Sequence, residues 1–143
     1  MQHRSPATNS FQTILNEIGL TSEVNPNKRL EDSIPFSIFT DLALSLKLDK
    51  FDLAKAMGIS PSSLIEIAQN NKFSRSQSRR FYKMIMVLDE ALTLFEGDWD
   101  SVIFFVNNPA IWLNGRKPLS LFVNNEGVAQ VSSLIKRLEH GVI

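Results

Sequence analysis

Two histidines, no cysteine and no spaced set of acids leave little material for catalysis in this chain. His3 lies in a polar N-terminal stretch and His140 close to the C-terminal end, so no HExxH-type pair exists to hold a metal. Without cysteine there is no disulfide, no thiolate nucleophile and no sulfur ligand for zinc or an iron–sulfur cluster. No GxGxxG or GxxxxGK[ST] run cradles a phosphate; glycines 19, 58, 97, 115, 127 and 141 stand singly. Glu31-Asp32 and Asp89-Glu90 are sequence neighbours, which point in different directions on a helix and do not converge on one substrate atom. The expectation is a protein that binds rather than catalyses, with no catalytic residue, metal or cofactor. Its binding chemistry concentrates elsewhere. Lys72, Arg75, Arg79, Arg80 and Lys83 place five basic side chains in twelve positions with no acid among them, a pattern suited to phosphates.

The whole chain gives those residues a modest scaffold. Its 143 residues, 43% hydrophobic, suffice for one domain or two small ones sharing a surface. Fifteen basic and fifteen acidic residues cancel, which excludes a globally basic nucleic-acid binder but not a local patch. Met1 to Ser10 carries no apolar run of the secretory kind, and no stretch reaches the length of a membrane helix. A cytoplasmic protein without a membrane partner is expected.

The hydrophobic spacing predicts an all-α fold. After a tail at residues 1–8, Phe11, Ile14, Leu15 and Ile18 share one helical face from Asn9 on, with Gly19 near its end. Residues 21–34 read as a connector. Pro35 opens a second helix bearing Phe36, Phe39, Leu42, Ala43 and Leu46. Asp49 caps a third over about 50–57, Gly58 stops it, and Ser60-Pro61 starts a fourth. Ser74 or Ser76 begins the longest helix, with Gly97 past its end. Asp98 caps a short helix over about 99–106, broken at Asn107-Asn108-Pro109. A glycine- and proline-punctuated loop and a short turn at 119–123 lead to a last helix capped by Asn124 or Asn125. Val128, Val131, Leu134, Ile135 and Leu138 form its apolar face. The expected division is an N-terminal tail, helix and connector (1–34), a helix-turn-helix-like domain (35–97) and a C-terminal domain (98–143).

Residues 49–70 carry the helix-turn-helix pattern. Leu53 and Met57 bury one face, Ala54 allows close crossing, Gly58 permits the left-handed turn, Ile59 packs beneath it and Leu64 anchors the second helix. Such a second helix can offer Ser60, Ser62, Ser63, Glu66, Gln69 and Asn70 to base edges, with Lys72, Arg75, Arg79 and Arg80 on phosphates. Leu64 to Ala68 contains no base, so guanine reading by arginine or lysine is absent from the helix itself. The same pattern also suits a helical corner that never meets DNA, and the basic run also suits an ordinary solvated face.

The C-terminal third adds a more specific signal. The run from Leu94-Phe95 through Asn108-Pro109-Ala110 continues into Leu113-Asn114-Gly115-Arg116-Lys117-Pro118-Leu119. It is followed by Gly127, Val131 and the ending Leu134-Ile135-Lys136-Arg137-Leu138-Glu139-His140-Gly141-Val142. This ordered series resembles the toxin-binding domain of the Xre/MbcA/ParS-like antitoxins. That family shows a long helix, a proline, a Leu-Gly-Gly-x-x-Pro-like turn, a glycine opening the last helix and an Arg-x-Glu-x-Gly-Val end. With the Xre-like helix-turn-helix that usually precedes it, the resemblance spans about residues 41–143. Asn114 replaces the first glycine of the pair, and asparagine tolerates positive φ. Phe104-Phe105-Val106 replaces a Trp-Leu pair.

The resemblance implies an antidote to a co-encoded toxin, often one with a RES domain that consumes NAD+ or transfers ADP-ribose from it. It also implies repression of the antidote's own operon through operator DNA, as a homodimer. Trp112, Asn114, Gly115, Arg116 and Pro118 on the turn, and Glu139, His140, Gly141, Val142 and Ile143 at the end, would inherit toxin binding. The tail's free carboxylate would pair with arginines of an NAD+ pocket. From the residues alone, Ile111-Trp112-Leu113 reads equally as a plug in the domain's own core, and Gly115 and Pro118 as turn formers. A free-standing helix-turn-helix regulator, and an antidote that has lost DNA binding, remain the competing readings.

Overall fold

The computed structural model describes residues 6–17 and 33–141. Ile18, Gly19, most of the expected connector, and Val142 and Ile143 lie outside the described residues. The first helix, α1 (Pro6–Glu17), starts three residues before the expected Asn9, with proline in a first turn where its missing N–H costs nothing. It is followed by α2 (Phe36–Ser45), α3 (Lys50–Ala56), α4 (Pro61–Asn70), α5 (Arg75–Leu94) and α6 (Trp99–Asn107). Two 3-10 turns, Ile111–Leu113 and Pro118–Val123, lead into α7 (Asn125–Glu139). The fold is all-α: among the described residues, extended pairing is limited to isolated bridges between Pro35 and Lys72 and between Ala110 and Arg116.

Local chemistry sets most boundaries where the side chains predict them. Asp49 accepts the Phe51 N–H at 2.7 Å and starts α3. Ser60 accepts the Ser63 N–H at 3.2 Å, with Pro61 behind it, and starts α4. Ser74, not Ser76, begins α5 through a capping box in which the Gln77 side chain accepts the Ser74 N–H in return. Asn124, not Asn125, accepts the Gly127 N–H at 2.7 Å to begin α7. Asp98 departs from expectation. It holds the cap position of α6, but its carboxylate accepts the Ser101 hydroxyl at 2.9 Å instead of a backbone N–H.

The core runs through all of these elements. Phe36, Phe39, Phe73 and Phe81 form a ring cluster, with Phe39 and Phe73 centroids 5.2 Å apart. Phe73 reaches it because residues 34–36 pair with 71–73: the Phe73 N–H donates to Ile34 O and the Phe36 N–H to Asn71 O. The buried Ser78 hydroxyl accepts the Ile34 N–H at 3.0 Å, satisfying a donor that burial would otherwise leave unpaired. Trp99 ties the two ends together. Its ring stacks on Phe11 of α1 at 4.4 Å, and its indole N–H donates to Ser45 O of α2 at 2.6 Å. Residues on both sides of Gly97, including Leu88, Ile85, Val102, Phe122 and Val131, belong to one hydrophobic cluster.

Two close approaches join α7 and the 118–123 turn to the rest. Gly127 meets the Leu121 carbonyl so closely that a Cβ there would sit 1.9 Å from its oxygen. The Val123 carbonyl accepts an Arg80 guanidinium N–H at 2.9 Å, and a Cβ built on Gly58 would lie 3.4 Å from the same oxygen. Between α5 and α7, the Ser132 hydroxyl donates to Glu90 at 2.9 Å. Beside it, burial and then the Glu90 charge raise the Asp89 carboxyl above its ordinary range. The folded state thus holds the Asp89 proton more tightly than the unfolded chain. Stability falls as pH climbs from the ordinary aspartate range through the raised folded value, and the loss persists above it. Asp89→Asn should therefore melt at a higher temperature than the parent at pH 7. Thermal scans should show that advantage shrinking as the pH falls through the raised value and largely gone below about 4.

Candidate functional site

The candidate surfaces are two, and each is built by a turn. The first is the corner between α3 and α4. Gly58 takes φ +75° there, and the Ile59 N–H donates to Ala54 O at 2.8 Å. Leu53, Ala54, Met57, Ile59 and Leu64 are all buried, as the pattern requires. Ser60, Ser62, Ser63, Glu66, Gln69 and Asn70 are exposed along α4. The serines are already engaged with each other: Ser60 Oγ donates to Ser63 Oγ at 2.9 Å and lies 3.3 Å from Ser62 Oγ. Sequence reasoning missed the apolar content of this face. Ile65 is 52% exposed and, with Phe36, Phe51, Leu64 and Ala68, lines a shallow groove of about 340 Å3. The spacing of Leu64 and Ile67 as buried positions places Ile65 outside, so the signal was present in the chain.

Lys72, Arg75, Arg79 and Lys83 are exposed, the last three at four-residue steps along one stripe of α5. Arg80 is different. It turns inward to the Val123 carbonyl, and its Nε is buried with no hydrogen-bond partner among the described residues. Arg80 therefore serves the internal joint between α5 and the 118–123 turn through at least one of its N–H groups. Its neighbour in sequence points a hundred degrees around the helix, which is why a basic run read as a string cannot separate the two.

The second surface is the turn between α6 and α7. Asn107 and Asn108 donate from their side chains to the Ile103 and Phe104 carbonyls and finish α6. The chain then closes a narrow clasp. The Ala110 N–H donates to Arg116 O at 3.1 Å, and the Gly115 N–H returns to Ala110 O at 3.0 Å. Asn114 at φ 58° and Gly115 at φ +76° supply two successive left-handed residues, so asparagine does replace the first glycine without loss of the turn. In the run Ile111-Trp112-Leu113 only Leu113 is buried. Ile111 is 82% and Trp112 53% exposed, so the run is not a core plug; one anchor turns in and two turn out. Pro118, by contrast, is buried at the start of the second 3-10 turn and shapes that turn from the inside. Arg116 is exposed yet anchored, with Nε donating to Leu113 O at 3.2 Å and a terminal nitrogen to Gln130 at 3.4 Å.

Alongside, Phe104 is 69% exposed over a groove of about 480 Å3 shared with Phe95, Phe105 and Pro109. Glu139, His140 and Gly141 leave α7 exposed, with His140 as its C-cap and Gly141 at φ +66°. The described residues contain no group of three or more metal-ligating side chains and no helix long and apolar enough to cross a membrane. A non-polar, aromatic and arginine-bearing surface on a rigid clasp is equipped to bind a protein.

Comparison with known proteins points to the same part of the chain. Residues 90–141 match the family model described as the antitoxin Xre/MbcA/ParS C-terminal toxin-binding domain. Over the full length, the chain is 33% identical to "Antitoxin Xre" of Yersinia enterocolitica, covering 98% of this chain and 96% of the relative. It is 28% identical to "Antitoxin Xre" of Photorhabdus laumondii, covering 88% and 87%. With the match spanning both the helix-turn-helix-like corner and the exposed clasp, the chain belongs to the Xre/MbcA/ParS-like antitoxins, the protective component of a toxin–antitoxin system.

Proposed function

We propose that this antitoxin neutralises a RES-domain toxin that consumes NAD+ or transfers ADP-ribose from it. The clasp at 110–116 grips the toxin, and the chain end from Glu139 lies near its active site. The observation that carries the reading is the outward presentation of Ile111 and Trp112 on a backbone-locked turn next to α7, whose last turn delivers the tail. Inhibition by coverage needs no catalytic group, in keeping with the residues at hand. The RES assignment itself rests on the family resemblance.

The deciding measurement is cellular NAD+ and growth while the adjacent open reading frame is induced, with and without this protein. Collapse of NAD+ reversed by co-expression is the expected result. Growth arrest reversed without NAD+ loss would discard the RES assignment and keep the antidote. The chain lacking residues 139–143 should protect poorly. Full protection by that truncation would shift inhibition to the clasp alone.

A second activity, repression of its own operon as a homodimer, is favoured by the corner at 57–60 and the exposed stripe Arg75, Arg79 and Lys83. The salt slope of binding falls by about one for every phosphate that a removed arginine no longer neutralises. Arg75→Ala with Arg79→Ala should weaken operator binding and flatten its salt dependence, while toxin protection stays intact. Mobility shifts across a salt series test this. Binding unaffected by both changes would take the stripe out of the DNA contact, and no operator binding by the unaltered protein would leave α3–α4 as scaffold and remove the repressor activity.

A further inference from the structure

We infer that the groove between the clasp and α7 seats an acidic segment of the toxin, with Arg116 and Arg137 as its paired anchors. This rests on the toxin-binding reading above and adds to it the partner's chemistry and a second wall for the site.

The groove holds about 370 Å3 and is lined on one side by Trp112 and Arg116, on the other by Gln130, Ser133 and Arg137. The α7 wall is one stripe: positions 126, 130, 133 and 137 recur at steps of four, three and four. The opposite stripe, Gly127, Val128, Val131, Leu134 and Ile135, is spent on the core. On the outer stripe the core takes no side chain, and the internal hydrogen bond reaching it is the one from Arg116 to Gln130. Arg137 is exposed and makes no hydrogen bond or ion pair among the described residues.

Arg116 is the pre-set member. A guanidinium carries five N–H donors. Two are used on Leu113 O and Gln130, which fixes the plane and leaves about three for a carboxylate taken in a forked geometry. Because its side chain is already ordered, less rotamer freedom is lost when a partner arrives. Two arginines face a single acid, Glu126, in the lining, and Glu126 sits in the first turn of α7, where it serves the helix dipole. The wall is thus net positive with an aromatic rim. Trp112 supplies apolar area beside the charge, the pairing of residue types that concentrates binding energy at protein interfaces. Phosphate alone would use the arginines but leave the tryptophan rim idle; a peptide bearing aspartate or glutamate next to an apolar side chain uses both. The stripe reaches the last turn of α7 at Arg137.

The test uses the full antitoxin and a catalytically inactive form of the toxin from the adjacent open reading frame, with affinity measured by calorimetry. Arg137→Glu should weaken the complex about 30-fold or more, and Arg116→Glu with Arg137→Glu should abolish co-purification. Arg137→Lys should retain most of the affinity. Raising salt should weaken the parent complex but not the remnant left by the double variant. Arg137→Glu touches no internal bond and forfeits only the favourable charge of a last-turn base, so its melting temperature should fall by no more than a few degrees and keep the result interpretable. Acid-to-lysine changes on the toxin should include one that restores binding to Arg137→Glu. Affinity within about threefold of the parent for both charge reversals, or a loss that appears only in operator binding, would overturn the inference while leaving toxin binding in place. Failure of the unaltered pair to associate would remove the toxin-binding reading and the inference with it.

Discussion

Replacing Gly127 with alanine should cost about 2–4 kcal/mol of stability and lower the melting temperature by roughly 6–15 °C, a severe effect for one methyl group. The added Cβ would lie 1.9 Å from the Leu121 oxygen and 2.8 Å from its carbonyl carbon, and both are backbone atoms with no rotamer to escape into. Relief requires α7 to slide away from the 118–123 turn. That movement breaks the 2.7 Å Asn124 cap and withdraws Val128, Val131 and Ile135 from the core. Gly115→Ala makes the useful contrast. Its Cβ would meet nothing within 4 Å, so only the φ of +76° is penalised, at about 1–2 kcal/mol. Calorimetric scans of the two variants should differ clearly; equal melting temperatures would mean that α7 does not rest on Leu121. Toxin protection at growth temperature should follow the Gly127 variant down.

The second large effect concerns binding and not folding. Trp112→Ala should reduce toxin affinity about 30-fold or more, the range of an aromatic anchor removed from an interface centre. Its melting temperature should scarcely change, because the ring is more than half exposed. Leu113→Ala, one residue on, should do the opposite: it removes a buried side chain and costs about 2–5 kcal/mol of stability. The two measurements, melting and toxin titration, separate adjacent residues into opposite classes. A Trp112 variant that binds as well as the parent would move the recognition surface to the Phe104 groove.

Much of the fold was legible in the chain because its signals are local. Asp49, Ser60, Ser74 and Asn124 sit where a polar side chain can reach back to a free N–H within three residues, and the helix starts follow. The helix-turn-helix corner was legible for the same reason, since Ala54, Gly58 and Ile59 solve a problem confined to six residues. What escaped is long-range. Arg80 looks like its neighbour Arg79 until the 118–123 turn arrives to offer it a carbonyl 43 residues away. Trp99 gave no hint that its indole would pair with Ser45 O or its ring with Phe11, because neither partner lies on its own helix. For the site, the asparagine-glycine turn could be read directly, whereas the outward Ile111 and Trp112 could not. Alternation over three residues is too short to say which faces the core.

The clasp and the segment after it divide the freedom to change. Between 111 and 117 most side chains point to solvent, so Ile111, Trp112 and Lys117 can be replaced at little cost to the fold, whereas Asn114 and Gly115 are tied to the turn by positive φ. Between 121 and 127 the main chain packs alongside the buried Leu121 and Phe122 side chains: the Leu121 carbonyl supports Gly127, and the Val123 carbonyl serves Arg80 beside Gly58. Gly127 has no room for a side chain against the Leu121 carbonyl, and Gly58 is held by its φ of +75°. With the toxin site proposed above, an antitoxin of this form that follows a drifting toxin would write new specificity into the clasp and the outer stripe of α7. The strip of main chain beneath them serves as a fixed bench on which successive recognition surfaces can be mounted.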